Sequence, residues 1–196
     1  LFIISWMRHG DSKVHRMINP TPAEVEELTK FKLIGFNNRK YDNHILYGRM
    51  LGYSNQKLYE LSKKLIGGNR GEGTFREAYN LSYADVYDYM AKKTSLKKLV
   101  ISLGIFHMEL GLDWDQPVPE ELWEKVADYC DNDVIALDKV FDVLHADITA
   151  RKILADISGL PVNSSTQQHT ARIIFGNDSN PSERFVYTDL SEMFPG

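Results

Sequence analysis

"DYCDNDVIALDKVF", residues 128–141, decides how the chain is read. Its apolar residues return every three to four positions, the pattern of an amphipathic helix. With residues set about 100° apart and the arc centred on Cys130, Val126, Val134, Leu137, Phe141 and Leu144 fall within about 40° of that centre. Asp131 and Asp138 are expected to point away from the arc into solvent. Asp133 is different: it falls between Val126 and Val140, inside the arc, with Tyr129 one turn earlier on nearly the same line. An unpaired carboxylate there is costly or is held protonated. Asp133 needs something to face.

The bulk numbers narrow the answer. A chain of 196 residues can bury a core for one ordinary domain with a small appendage. Its 43% hydrophobic and 26% charged residues describe a soluble globular protein, neither disordered nor membrane-embedded. A net charge of −4 argues against coating duplex DNA through global charge. It leaves room for an enzyme that grips one nucleic-acid end through metal ions and a few local basic residues. Cys130 is the single cysteine, so no internal disulfide forms, and a reducing cytoplasm is the expected setting. No apolar run approaches the roughly 18–20 residues of a membrane span. "LFIISWM" is too short, and no basic stretch precedes it as in a secretion signal. The opening at Leu1 inside a strand pattern and the abrupt "YTDLSEMFPG" suggest a piece of something longer, or a chain whose first residues are not given.

Strand and helix patterns alternate. "LFIISW" (1–6) and "KVHRMI" (13–18) read as strands joined across the "RHGD" turn. "NPTPAEVEEL" opens a helix, with Thr21 as cap, Pro22 in the first turn and acids behind them. "KLIGF" (32–36) is a short buried strand, followed by a helix carrying Ile45, Leu46, Met50 and Leu51. "YELSKKLI" suggests a further short helix, "GGNRGEG" (67–73) a loop, and "YADVYDYM" (83–90) a strand or a short helix. "SLKKLVISLGI" (95–105) is amphipathic, and Pro119 and Glu120 lead into the helix that holds Asp133. Such alternation predicts an α/β fold, its sheet covered by helices. The expected domain spans 1–150. Residues 151–196 form a short-element, loop-rich C-terminal extension.

"GFNNRKYDNHIL" (35–46) carries the second informative acid. Asp42 follows a buried strand near a helix start, where α/β sheets concentrate function. A plain helix-capping role is the other reading of it. Two acids from distant segments, converging above a sheet, suit hard divalent cations. Mg²⁺ takes oxygen ligands and keeps several waters. Two such ions about 3.5–4 Å apart activate a water and stabilise a leaving oxygen. A tyrosine beside them orients the water, because a phenol is too weak an acid to ionise freely at neutral pH.

"GFNNRKYD" resembles the second motif, and "YCDND" the third, of the DEDDy 3′–5′ exonucleases, a branch of the ribonuclease H-like superfamily that includes polymerase proofreading domains. Tyr129 and Asp133 reproduce the Tyr-x-x-x-Asp spacing, and Asp42 matches the second motif's acid. The run from "SLKKLVISLGI" to "DKVF" looks most like exonuclease domains of phage-type DNA polymerases. The resemblance spans roughly residues 1–145, and "ARKILADISGL" with the tail looks like the start of a polymerase region. It implies a ribonuclease H-like mixed β-sheet flanked by helices. It implies two Mg²⁺ or Mn²⁺ ions held by Asp42 and Asp133, with Tyr129 positioning water. Asn37 and Asn38 match the asparagine near the substrate end, and Arg39 and Lys40 are the expected backbone contacts. The implied partners are the 3′ end of single-stranded DNA and a polymerase domain in the same parent chain. The implied setting is the cytoplasm of a bacterium or of a phage's bacterial host, with no membrane.

One departure is plain. The family's first motif, Asp-x-Glu on the opening strand, is absent. Either residues 1–18 are the second and third strands, with the motif strand upstream, or "LFIIS" is the first strand with Ile3 and Ser5 in place of the acids. The turn-linked strand pair favours the first. On Asp42 and Asp133 alone, weak metal binding and poor cleavage are expected. Two rivals remain: an inactive domain that binds nucleic acid or braces a polymerase, and an RNA exonuclease similar to ribonuclease D. The six histidines share no ligand spacing. Asp85 is read as structural or surface before a minor part in the acidic site, Lys92, Lys93, Lys97 and Lys98 as a solvated face or phosphate contacts, and Tyr83, Tyr87 and Tyr89 as core and interface.

Overall fold

The computed structural model describes residues 1–67, 73–90, 93–113, 116–184 and 193. The chain opens with a hairpin. Strands β1 (Ile3–Met7) and β2 (Val14–Ile18) pair antiparallel, Ile3 opposite Ile18 and Met7 opposite Val14. Trp6 faces His15 across this ladder with the rings stacked at 4.4 Å, a cross-strand pair that pins the register. Helix α1 (Pro22–Thr29) starts as its sequence dictates. The Thr21 hydroxyl accepts from the Glu24 N–H, and the Glu24 carboxylate accepts from the Thr21 N–H.

Strand β3 (Ile34–Gly35) leads through one 3₁₀ turn (Asn38–Lys40) into α2 (Asp42–Met50). Helix α3 (Asn55–Gly67) starts earlier than its apolar pattern suggests, because the Ser54 hydroxyl caps it by accepting from the Lys57 N–H. Residues 83–90 take both forms open to them. Strand β4 (Ala84–Asp85) pairs parallel with β3, and one helical turn, α4 (Val86–Tyr89), follows. Then come α5 (Leu96–Ser102), α6 (Trp123–Val143), α7 (His145–Ser158) and α8 (Thr166–Phe175). Helix α7 crosses position 150 without a break and buries Ile148 in the main core. Most of the "GGNRGEG" loop, Lys92, and the tail from 185 except Met193 lie outside the described residues.

Among the described residues the fold is mixed α/β, with eight α-helices and two separate two-stranded sheets, β1–β2 and β3–β4. The sequence reading expects one mixed sheet. The difference has a local cause: β1 and β3 each keep one edge without a strand partner among the described residues, and a cleft lies between them. The main core gathers Val86, Val100, Ala136, Val140 and Ile148 from α4, α5, α6 and α7. A second cluster, Ile45 with Leu58 and Leu61, ties α2 to α3. No helix among the described residues is long and apolar enough to cross a membrane.

Two acids expected in solvent are covered. The Asp131 carboxylate accepts from Ser5 Oγ and from Arg16 Nε, each at 2.7 Å, and Asp138 bonds His9 Nδ1 at 2.7 Å. The hairpin lies across this side of α6, so the packed surface of the helix is wider than its apolar arc. Arg16 also pairs with Glu124 and Asp128, which makes this second interface polar. A wheel drawn from apolar residues alone cannot register it. Cys130, the expected centre of the buried arc, is only half-buried because it faces the cleft.

Candidate functional site

The loop that presents Asp42 is held from behind by another acid. Asp85, 2% exposed, accepts from the N–H groups of Asn37 at 2.7 Å, Arg39 at 3.1 Å and Tyr87 at 3.0 Å. Burial pushes its carboxyl up, while the bonds from Arg39 and Asn37 pull the other way. This is the structural role foreseen for it. The arrangement needs Asn37 in the left-handed region, at φ 57°, which asparagine tolerates better than most residues. Asn163 adds a second brace: its Oδ1 accepts from the Asp85 N–H at 3.2 Å and its Nδ2 donates to Ser82 O at 3.0 Å.

Gly35 lets the loop close. The Asn38 side chain lies over it, so a Cβ at position 35 would sit 2.5 Å from Asn38 Nδ2. Gly35→Ala is therefore expected to displace Asn38 and to cost about 1–3 kcal/mol in denaturant unfolding. An unchanged midpoint would mean that Asn38 moves aside freely.

Asp42 and Asp133 line one cavity of about 370 Å³. Asp42 is the first residue of α2, and Asp133 reaches the same space from α6. Asp42 meets water on its open side and is crowded by protein on the others. Burial pushes its carboxyl up to about 6, against the pull of its own N–H, with a smaller push from Asp85. Asp133 also lies above the ordinary carboxylate range through burial, eased by a hydrogen bond from the Tyr129 hydroxyl and by nearby His107. Burial first, and then Asp133, push the Tyr129 hydroxyl up to about 12. Cys130 lines the same cavity, and its thiol is pushed up to about 11 by burial first, and by the charges of Asp133, Asp131 and Asp42 among others. That thiol is inert at neutral pH.

The other expected site residues divide. Asn38 borders the cavity, is 5% exposed, donates to Ala84 O at 3.4 Å, and leaves its Oδ1 without a partner. Asn37 borders an adjoining open groove with Asp42, Tyr41 and Tyr87. The Arg39 guanidinium is committed to the fold, donating to Tyr79 O at 3.2 Å, Asp88 at 3.0 Å and Asn163 O at 2.8 Å. Lys40 is exposed and stands 5.6 Å from the centre of the Tyr87 ring, with Lys93 over the same ring at 4.7 Å. Lys97 pairs with Glu109.

Sequence reasoning missed His107 and Glu109. The His107 side chain, 10% exposed, lies 3.5 Å from Glu109 and within electrostatic reach of Asp133, while Glu109 acts on Tyr129. Both lie on a segment without regular structure, so no sequence period marks them. Among the described residues no three His, Cys, Asp or Glu side chains converge as a ready metal cluster. No protein-family model, curated protein or solved structure matches the chain.

Proposed function

We propose that the protein is the 3′–5′ exonuclease region of a phage-type DNA polymerase, acting on the 3′ end of single-stranded DNA. The observation that carries this reading is that Asp42 and Asp133 line one cavity, with Tyr129 acting on Asp133 from one turn away on the same helix. The proposed fold is ribonuclease H-like, the proposed setting the cytoplasm of a bacterium or a phage's host, and the proposed neighbour a polymerase region in the same parent chain.

The donors suit a hard cation. Asp42 and Asp133 offer carboxylate oxygens to the cavity, so Mg²⁺ or Mn²⁺ would find oxygen ligands there and keep its remaining positions for water and phosphate. A pair of ions needs more acid than these two residues supply, so weak activity of this chain alone is expected. When bound, such ions activate water and stabilise the leaving oxygen of a phosphodiester. The chain's own part is positioning. Tyr129, which holds its proton at neutral pH, orients a water beside Asp133 and does not serve as a base. Lys40 and Lys93 flank the open groove beside Asp42, where a phosphate backbone gains from cations and a base from the Tyr87 ring.

Labelled single-stranded DNA and RNA of matched sequence, incubated with Mn²⁺, test the assignment. Loss of nucleotides from the DNA 3′ end is expected. Consumption of RNA with DNA spared would replace the proofreading reading with a ribonuclease D-like one. Binding of both without cleavage would favour the inactive rival.

Asp42 also sets a pH dependence. The folded state holds its proton up to about 6, whereas an unfolded aspartate releases it near about 4. Across that window the folded state binds more protons, so the Asp42 contribution to metal-free stability falls as pH rises. Cation affinity runs the other way, because the ligand must be ionised. Mn²⁺ affinity is expected to rise about tenfold from pH 5 to pH 7. Asp42→Asn should flatten that rise; a wild-type affinity that does not change with pH would remove Asp42 from the ligands.

A further inference from the structure

Helix α8 is fastened to the chain by a polar residue. Of its ten residues eight are exposed, Phe175 is half-buried, and only His169 is fully buried. Neither apolar cluster takes a residue from it. A helix this short depends on packing for its stability, and here the packed side chain is an imidazole. His169 Nδ1 lies 2.7 Å from Ser158 Oγ of α7. That hydroxyl accepts from the Leu160 N–H at 3.2 Å, and its own proton has two acceptors in reach, His169 Nδ1 and, at 3.4 Å, Ala155 O. The shorter contact takes the proton, so Nδ1 accepts and the neutral ring carries its hydrogen on Nε2. Nε2 is buried and has no hydrogen-bond partner among the described residues.

No acid acts on this ring. Residues 159–165, "GLPVNSS", hold no charged side chain, and α8 itself holds one, Arg172. From α7 comes Arg151, whose guanidinium donates to Ser164 O at 2.8 Å and to Thr166 Oγ1 at 3.1 Å and stands 5.6 Å from the centre of the Tyr89 ring. The other titratable residues of α7, His145, Asp147, Lys152 and Asp156, are exposed. Burial first, and then Arg151, hold the imidazole below the ordinary histidine range, while the Ser164 carbonyl pulls the other way.

We propose that α8 is an acid-released latch: protonation of His169 undocks this helix from α7 while the main core stays folded. A second proton has no good place on the docked ring. On Nδ1 it turns the Ser158 hydroxyl away to Ala155 O, and the charge it creates is closed off from water beside Arg151. Undocked, the imidazole meets water and takes the proton near about 6.5. The docked histidine therefore binds a proton less readily than the free one. Docking is fully present above about pH 6.5 and weakens below it, by about tenfold per unit for one proton. The main core has no share in this loss, since Val86, Val100, Ala136, Val140 and Ile148 lie on other helices. Release removes the C-terminal anchor of residues 159–165, the stretch that carries the Asn163 brace. None of this uses the nuclease reading, and the test does not measure cleavage.

Amide exchange of the whole chain, followed by NMR between pH 7.5 and pH 5 and corrected for intrinsic exchange, tests this. Protection of the α8 amides is expected to fall about tenfold per pH unit below about 6.5, roughly thirtyfold by pH 5, while the α6 amides stay protected. The His169 ring should stay neutral wherever α8 remains docked. His169→Asn keeps an acceptor near the place of Nδ1 and cannot take the proton, so its α8 protection should not vary with pH. If that variant leaves α8 unprotected at every pH, the wild-type slope and the ring signals decide alone. Wild-type α8 protection that is flat across the range would overturn the proposal, as would the same slope in His169→Asn. So would ring signals that titrate near about 6.5 with α8 still protected. Loss of α6 protection in step with α8 would replace the latch with acid unfolding of the whole chain.

Discussion

Asp133→Asn is expected to slow the shortening of single-stranded DNA 3′ ends by about a thousandfold or more, while leaving the melting midpoint within a few degrees. The side chains have the same shape, and the amide oxygen still accepts from the Tyr129 hydroxyl. Burial already disfavours the charge at this position, so a neutral amide does not weaken the fold. Loss of activity with an intact melting curve then reads as loss of a ligand. Tyr129→Phe should cost less, about ten- to a hundredfold, because it removes only an orienting hydroxyl. A labelled-oligonucleotide assay in Mn²⁺, run beside circular dichroism melts, separates these outcomes. Full activity in Asp133→Asn would take Asp133 out of the site.

The largest loss of stability is expected at a residue that touches no substrate. Asp85→Ala leaves three backbone N–H groups without their acceptor, those of Asn37, Arg39 and Tyr87. Each buried donor left unpaired costs about 1–3 kcal/mol, and because these three are only part-buried the low end applies, a total of about 3 kcal/mol and a large share of the roughly 5–15 kcal/mol that holds a domain together. Asp85→Asn keeps one acceptor oxygen and should lose about half as much. Urea unfolding of the two variants checks the order. If both match the wild type, the loop around Asn37 is not held by this carboxylate. Because the same bonds shape the turn before Asp42, the variants should also weaken Mn²⁺ binding, although neither residue at position 85 would meet the ion.

Local signals carried most of the fold. The hairpin, the Thr21 cap, the β3–α2 passage and the long helix around Asp133 follow from period, capping chemistry and turn residues, all of which act over a few positions. What the sequence hid is non-local. The polar interface of Arg16 with Asp131 joins residues far apart in the chain, and no apolar period announces it. Arg39 and Lys40 are neighbours of the same charge, yet one guanidinium is bonded into the fold and the other side chain is exposed beside the Tyr87 ring. Which of two adjacent cations is spent on structure depends on what packs beside it, here Asp88 and the carbonyl of Asn163. Of the candidate site, the sequence signal was the acid inside an apolar arc, and the structure sets Asp133 on the lining of the same cavity as Asp42. The approach of His107 had no such signal, since it lies on a segment without regular structure.

The brace at Asn163 has a mechanical consequence. One side chain spans Ser82 and Asp85, and the carbonyl of the same residue takes a bond from Arg39, so the stretch between α7 and α8 is fastened to the turn that aims Asp42. Tension or rotation applied to α7 or α8 from outside is delivered within two hydrogen bonds to the carboxylate's mounting. Whatever grips α7 or α8 thereby holds a lever on the placement of Asp42.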